Sequence, residues 1–226
     1  MALFIETLKR EFFSKKSILI IVCYIFIAYF IGKYGTILST VISENGRLVL
    51  VDVLLVIYAL LGYLFSSVLF SGLIAEEIEL QTMLFLTPYL SRRRIYLEKY
   101  LASICYFFIL TIISIIILFT VYGKVDLPIY SILSILGFYL YTQSLVMLVS
   151  TISSTQRIST IISLTLSILF PIVYSLSLLK KWTILIGLRW LFPYHYLSKT
   201  WEITVLYFLA FSILLLGIEI FKRKEI

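Results

Sequence analysis

Histidine is almost absent from this chain: His195 is the only one in 226 residues. That scarcity closes off several chemistries at once. A zinc-protease helix needs two histidines on one face, so it is excluded. The two cysteines, Cys23 and Cys105, fall inside apolar runs and read as small core residues, neither a disulfide nor a ligand pair. No Gly-x-x-x-x-Gly-Lys-Ser/Thr loop occurs, so this chain does not cradle a nucleotide in that way by itself. Charge is scarce too, with Asp, Glu, Lys and Arg at 14% of positions. No catalytic group, metal site or nucleic-acid partner is expected.

What remains is apolar. Hydrophobic residues make up 62% of the sequence and the mean hydropathy is +1.08. A water-soluble domain of this size could not hide so much apolar surface, so lipid is its main solvent. Crossing a hydrocarbon core of about 30 Å takes about 20 helical residues. Six stretches qualify, near 17–38, 48–75, 99–122, 129–152, 158–178 and 202–221. They form a single all-α transmembrane domain over 1–226. Strands are excluded because an open strand leaves its backbone unpaired in lipid, and no stretch alternates as a barrel strand does.

The first run reaches span length without a small-residue cleavage site, so it is expected to stay as a span. Ahead of it, within residues 2–15, Leu3, Phe4, Leu8, Phe12 and Phe13 share a helical face, with Glu6, Lys9 and Arg10 elsewhere. That pattern predicts a helix lying in the membrane surface, or a charged leader that orients the first span. Placing both termini inside puts twelve of the nineteen basic residues on the cytoplasmic side and seven outside, as the positive-inside rule favours. Tyr29, Tyr34, Tyr122 and Tyr130 then fall in an outer aromatic belt, and Tyr96 and Tyr100 in an inner one.

Between the fifth and sixth runs, 179–201 holds the apolar segment Trp182–Leu197. Sixteen residues at 1.5 Å each reach about 24 Å, too short to cross. With Gly187, Arg189 and Pro193 inside it, the expectation is one or two short helices that enter the outer leaflet and return. His195 reads as interfacial. "AEEIELQ" begins like the paired-glutamate motif of intramembrane glutamate proteases, but that chemistry needs histidines on other helices. Asp52, Glu202 and Glu219 sit near span ends, and a mid-membrane acid for ion coupling is missing.

The loop at 76–98 is the chief interruption. Glu76, Glu77 and Glu79 follow the second span, and the helix can continue through Gln81 and Thr82 into Met83, Leu84, Phe85 and Leu86. Those four apolar residues need a surface to cover, membrane or protein. Pro88 stops the helix, and Ser91 is a good N-cap for the next one. Arg92, Arg93 and Arg94 then occupy a first turn, where cations oppose the helix dipole. Anionic lipid or acidic groups on a partner would favour them there.

The order Glu77, Thr82, Leu86, Pro88, then Ser91, Arg92, Arg93, Ile95 and Lys99 resembles the first cytoplasmic loop of ABC-2 type exporter permeases. The surface helix, six spans and re-entrant outer segment extend that resemblance over the whole chain. The family often has Gly-Thr where this chain has Gln81-Thr82, and one residue between Pro and Ser where this chain has Tyr89 and Leu90.

The resemblance implies a permease subunit that pairs with a second copy, identical or not, above two cytoplasmic ATPases. ATP and Mg would be bound by those partners. Met83 to Leu86 would fill a groove on the ATPase, with Glu76, Glu77, Glu79 and Arg92 to Arg94 as rim charges. The route is expected along the second and fifth spans. Ser159, Ser163, Ser167, Pro171 and Ser175 recur every four residues, a stripe that reads first as plain helix packing inside one subunit and second as pathway lining. Tyr58, Gly62, Phe65 and Ser66 share a face of the second span. Such an uncharged, aromatic lining suits an amphipathic or lipid-like cargo, above all an antimicrobial or toxic peptide in a Gram-positive cell membrane. A non-transporting immunity protein and an ion-coupled carrier remain the alternatives.

Overall fold

A computed structural model describes residues 2–35, 50–83, 88–123, 129–179, 187, 189–197 and 202–224. Among these residues every regular element is helical. In chain order they are α1 (Ala2–Phe12), α2 (Lys15–Lys33), α3 (Leu50–Phe70), α4 (Ala75–Glu79), α5 (Arg92–Tyr122), α6 (Ile129–Ile152), α7 (Gln156–Leu179) and α8 (Ile203–Arg223), with 3-10 turns at Arg189–Leu191 and Pro193–Tyr196. Six segments are long and apolar enough to cross a membrane: α2, α3 with α4, α5, α6, α7 and α8. The chain is a multi-pass, all-α membrane protein.

The spans follow the sequence closely, with two differences. α5 begins at Arg92, seven residues before the expected start at 99. Ser91 stands at its N-cap with extended backbone, but its side chain makes no capping bond. Its carbonyl alone accepts from the Arg94 and Ile95 amides. The second span stops at Phe70, turns through Ser71–Ile74 and resumes as α4, where one continuous helix was expected. α4 ends at Glu79 and Gln81 adopts a left-handed backbone with φ 56°; the expected continuation to Pro88 falls mostly on 84–87, outside the described residues.

An aromatic core joins the first four spans. The rings of Tyr24 and Tyr58 lie 4.2 Å apart, Phe107 stacks on Tyr139 at 5.0 Å, and the Tyr58 hydroxyl donates to the Tyr24 carbonyl at 2.8 Å. Small residues make the close approaches possible, which in lipid replace hydrophobic drive as the reason for helix association. A Cβ on Gly62 would come 2.9 Å from the Tyr139 ring, and one on Gly217 would come 2.1 Å from the Tyr96 hydroxyl. Tyr96 and Tyr100, expected in an aromatic belt, are instead core residues. Tyr96 is fully buried beside Phe221, and Tyr100 donates to the Leu140 carbonyl at 3.0 Å.

One end of the bundle, here the polar end, gathers α1, residues 71–83 and 88–91, the α6–α7 turn and the end of α8. At the opposite end the 3-10 turns place Phe192 against Phe170 at 5.1 Å and Tyr194 against Phe138 at 5.3 Å. Phe170 lies nine residues below the end of α7, so Phe192 sits about 13 Å down that helix. Phe192, Pro193, Tyr194, His195 and Tyr196 are buried against the bundle, whereas Trp190 and Leu191 are exposed. The Tyr141 hydroxyl donates to Leu191 O at 2.7 Å and the Tyr196 hydroxyl to Trp190 O at 2.6 Å. His195 is buried, 3.4 Å from Glu202.

Replacing Gly217 by Ala is expected to cost about 1–3 kcal/mol, read as a lower unfolding temperature in detergent. Adding Tyr96→Phe should restore part of the loss; a Gly217→Ala protein as stable as the parent would refute the close packing.

Candidate functional site

The polar end is built around the break at Ser71–Ile74. An interruption of the helix inside a span frees backbone groups, and none can be left to lipid. Three neighbouring side chains take them up. The Ser159 hydroxyl donates to the Ser71 carbonyl, and the Lys99 ammonium to the Leu73 carbonyl at 2.7 Å. The Ser150 hydroxyl accepts the amides of Ile74 at 3.1 Å and Ala75 at 3.0 Å. The Ser71 and Thr160 hydroxyls bond at 2.9 Å. Gly72 lets α7 close in, since a Cβ there would meet Gln156 at 2.8 Å.

Lys99 is 1% exposed and forms an ion pair with Glu77. A buried ammonium is tolerable only when its partners are close, and here a carboxylate and a carbonyl supply them. Glu11 of α1 is also buried, 3.2 Å from Arg10. Burial holds its carboxyl above the ordinary value despite the lowering pull of Arg10, and Glu76 adds to the rise. The Phe4 amide donates to Glu98 at 3.1 Å, and Phe12 lies 4.7 Å from Tyr106. Through these contacts α1 is fixed along the start of α5.

The remaining loop charges close helix ends. Glu79 accepts the Gln156 amide at 2.8 Å, meeting a free N–H in the first turn of α7. Arg92 donates to Lys222 O at 3.2 Å and also to Lys224 O, at the last carbonyls of α8. Arg94 pairs with Glu98 at 2.8 Å. Lys224 donates to Thr151 O at 2.6 Å and Ser153 O at 3.0 Å, closing α6. So two members of the arginine triplet are engaged inside the chain, a third account beside lipid and partner. Arg93 is exposed and lines a groove of about 590 Å³ with Leu216 and Lys222.

The expected docking residues fare unevenly. Met83 is fully buried in the chain's own core, so it is not presented to a partner. Leu84, Phe85 and Leu86 lie outside the described residues. Thr82 donates to the Glu77 carbonyl at 3.3 Å. Glu76 and Glu77 are partly buried, whereas Pro88 and Ser91 are exposed. Leu80 and Tyr89 are exposed apolar residues that the sequence reading did not single out, at 63% and 87%.

In the second and fifth spans, Ser159, Ser163 and Ser167 are buried, and the Ser67 hydroxyl donates to the Ser163 carbonyl at 3.0 Å. The stripe packs α7 on α3 within one chain. Ser175 is exposed and donates to the carbonyl of Pro171 at 2.8 Å. Tyr58 and Ser66 are fully buried, Gly62 lies under Tyr139, and Phe65 sits 5.9 Å from Tyr24.

Two buried residues carry more weight than their sequence context revealed. Lys99 was legible as part of the loop pattern, but nothing in its spacing announced a partner 22 residues earlier. Gln143, the one side-chain amide inside α6 and fully buried, was missed; an amide inside an apolar run was the signal that could have found it. No protein-family model matches this chain, and no curated protein matches it.

Lys99→Met leaves Glu77 and the Leu73 carbonyl unpaired, so a loss of about 3–5 kcal/mol is expected in detergent unfolding. Adding Glu77→Gln should recover much of it; equal damage in the double variant would mean that the ion pair is not the cause. For Glu11 the sign runs the other way. A folded pKa above the unfolded one makes ionisation costly, with the penalty growing as pH rises through the folded value. Glu11→Gln should therefore unfold at a higher temperature than the parent at pH 7, the two converging below about pH 4.3.

Proposed function

We propose that this chain is the membrane subunit of an ATP-driven exporter of the ABC-2 type. It sits in the cell membrane with both termini and the polar end in the cytoplasm. It pairs with a second permease and engages two separate ATPases that bind ATP and Mg. The supporting observation is the break at 71–74: the segment leaving the second span is bonded to three other spans at once. A push on 75–91 would be felt directly by α5 through Lys99, by α6 through Ser150, and by α7 through Ser159 and Glu79. That is the arrangement a coupling loop requires, because a two-state element must be rigidly tied to what it moves.

The loop pattern adds to this. Position 81 is where the resembling family often has glycine, and the backbone there is left-handed, which glycine adopts at least cost. The docking surface is revised accordingly: Leu80, Tyr89 and Arg93 are exposed, and Met83 drops out as an anchor. α1 lies in the membrane surface with Ile5 and Phe13 turned outward, and the turns around Phe192 are a re-entrant element in the outer leaflet. Since the serine stripe is occupied by packing, α7 would meet a route between subunits through its exposed side, Ile161, Thr165, Ile168 and Ile172. Such an apolar surface suits an amphipathic or antimicrobial peptide, or a lipid-like cargo.

The test uses the chain co-expressed with an ABC-type ATPase taken from a reading frame next to its own, where one is found. Phe85→Glu and Tyr89→Glu should each abolish co-purification and ATPase stimulation while leaving the unfolding temperature within about 2 °C of the parent, under 1 kcal/mol for a chain this size. Normal stimulation by both variants overturns the docking surface. Peptide export from proteoliposomes that persists with a hydrolysis-dead ATPase overturns the exporter itself.

A further inference from the structure

We propose that Ser66, Gln143 and Ser163 form a buried hydration site, holding one or more ordered water molecules between α3, α6 and α7. It stands apart from the transport proposal. Gln143 is fully buried and neither its amide nitrogen nor its amide oxygen has a protein partner. The hydroxyls of Ser66 and Ser163 are buried and unpartnered in the same way. Three orphaned polar groups on three different helices are hard to explain separately, since each is costly away from water.

Helix register brings the three to one level. α3 and α6 run parallel, and their contacts keep a nearly constant offset: Asp52 with Ser131, Gly62 with Tyr139, Ile74 with Ser150. The Gly62–Tyr139 offset of 77 residues, applied to Ser66, lands on Gln143. Gln143 also falls on the α6 face of Tyr139 and Ser150, which meets α3. α7 runs antiparallel to α3, with Ser71 against Ser159 and Ser67 against Ser163, so Ser163 shares the level of Ser66.

The chemistry selects the guest. Gln143 offers two donors and a carbonyl acceptor, and each serine offers one donor and acceptor lone pairs. No carboxylate, thiolate or imidazole joins them, so the set does not suit a cation. A neutral guest that both donates and accepts through several short bonds is needed, and water with three polar partners meets that description. The site lies five residues, about 7.5 Å along α3, from the break at Ser71. It extends inward the polar column of Ser71, Thr160 and Ser159 that serves the interruption.

X-ray radiolytic labelling tests this on the purified full-length chain in lipid nanodiscs, without cargo or ATPase, after rapid mixing into 18O-water. Met147 and Tyr139 flank Gln143 by one turn and are no more than 1% exposed. Bound water should oxidise them with slowly exchanging 16O, and Gln143→Leu should reduce that labelling at least fivefold while exposed Tyr89 is labelled as before. Gln143→Leu should also lower the unfolding temperature by about 2–4 °C, whereas a dry, unpaired amide would give a rise. Should Gln143→Leu not fold, Ser66→Ala with Ser163→Ala should still reduce labelling at least threefold. Unlabelled Met147 and Tyr139 in the parent, or labelling that survives these substitutions, overturns the site.

Discussion

A lysine buried among apolar helices is the constraint around which the polar end is arranged. Lys99 cannot keep its charge in that position without a carboxylate and a carbonyl within bonding reach. Glu77 and Leu73 supply them where the helix of the second span is interrupted at Ser71–Ile74. The break in turn requires acceptors and donors for its freed backbone, which Ser150 and Ser159 provide from α6 and α7. Each of these bonds fixes one more helix relative to the same four residues. The loop is therefore part of the bundle's packing, not an appendage to it.

Charge at this end works largely as helix capping. Glu79 meets an amide at the start of α7, while Arg92 and Lys224 meet carbonyls at the ends of α8 and α6. Carboxylate at an N-terminus and cation at a C-terminus are the favourable senses of the helix dipole. Arg92, which opposes the dipole of its own helix, thus serves the C-terminus of another. In a chain with so few charges, this use leaves Arg93 exposed, together with uncharged loop residues such as Leu80, Pro88, Tyr89 and Ser91.

The spans were legible because their physics is one-dimensional. Apolar length alone sets whether a helix can cross, and α6 falls within the limits read from sequence, 129–152. The break at Ser71–Ile74 was not legible, because Ser-Gly-Leu-Ile is compatible with a helix until side chains from three other spans capture its backbone. The burial of Met83, Tyr96 and Tyr100 was hidden for a similar reason: periodicity reports a face, not what lies against it. Gly62 and Gly217 were visible as letters, yet only the approach of Tyr139 and Tyr96 gives them a role.

Composition by itself determined that this protein lives in lipid, that its elements are helices, and that six of them can cross, since hydrocarbon accepts no unpaired backbone. Tertiary structure alone decided which polar residues became internal partners and which stayed at the surface. Pairs such as Lys99 with Glu77, or Arg92 with the end of α8, join residues whose separation along the chain carries no signal. Their cost or benefit exists only once neighbouring helices have excluded water and set the distance.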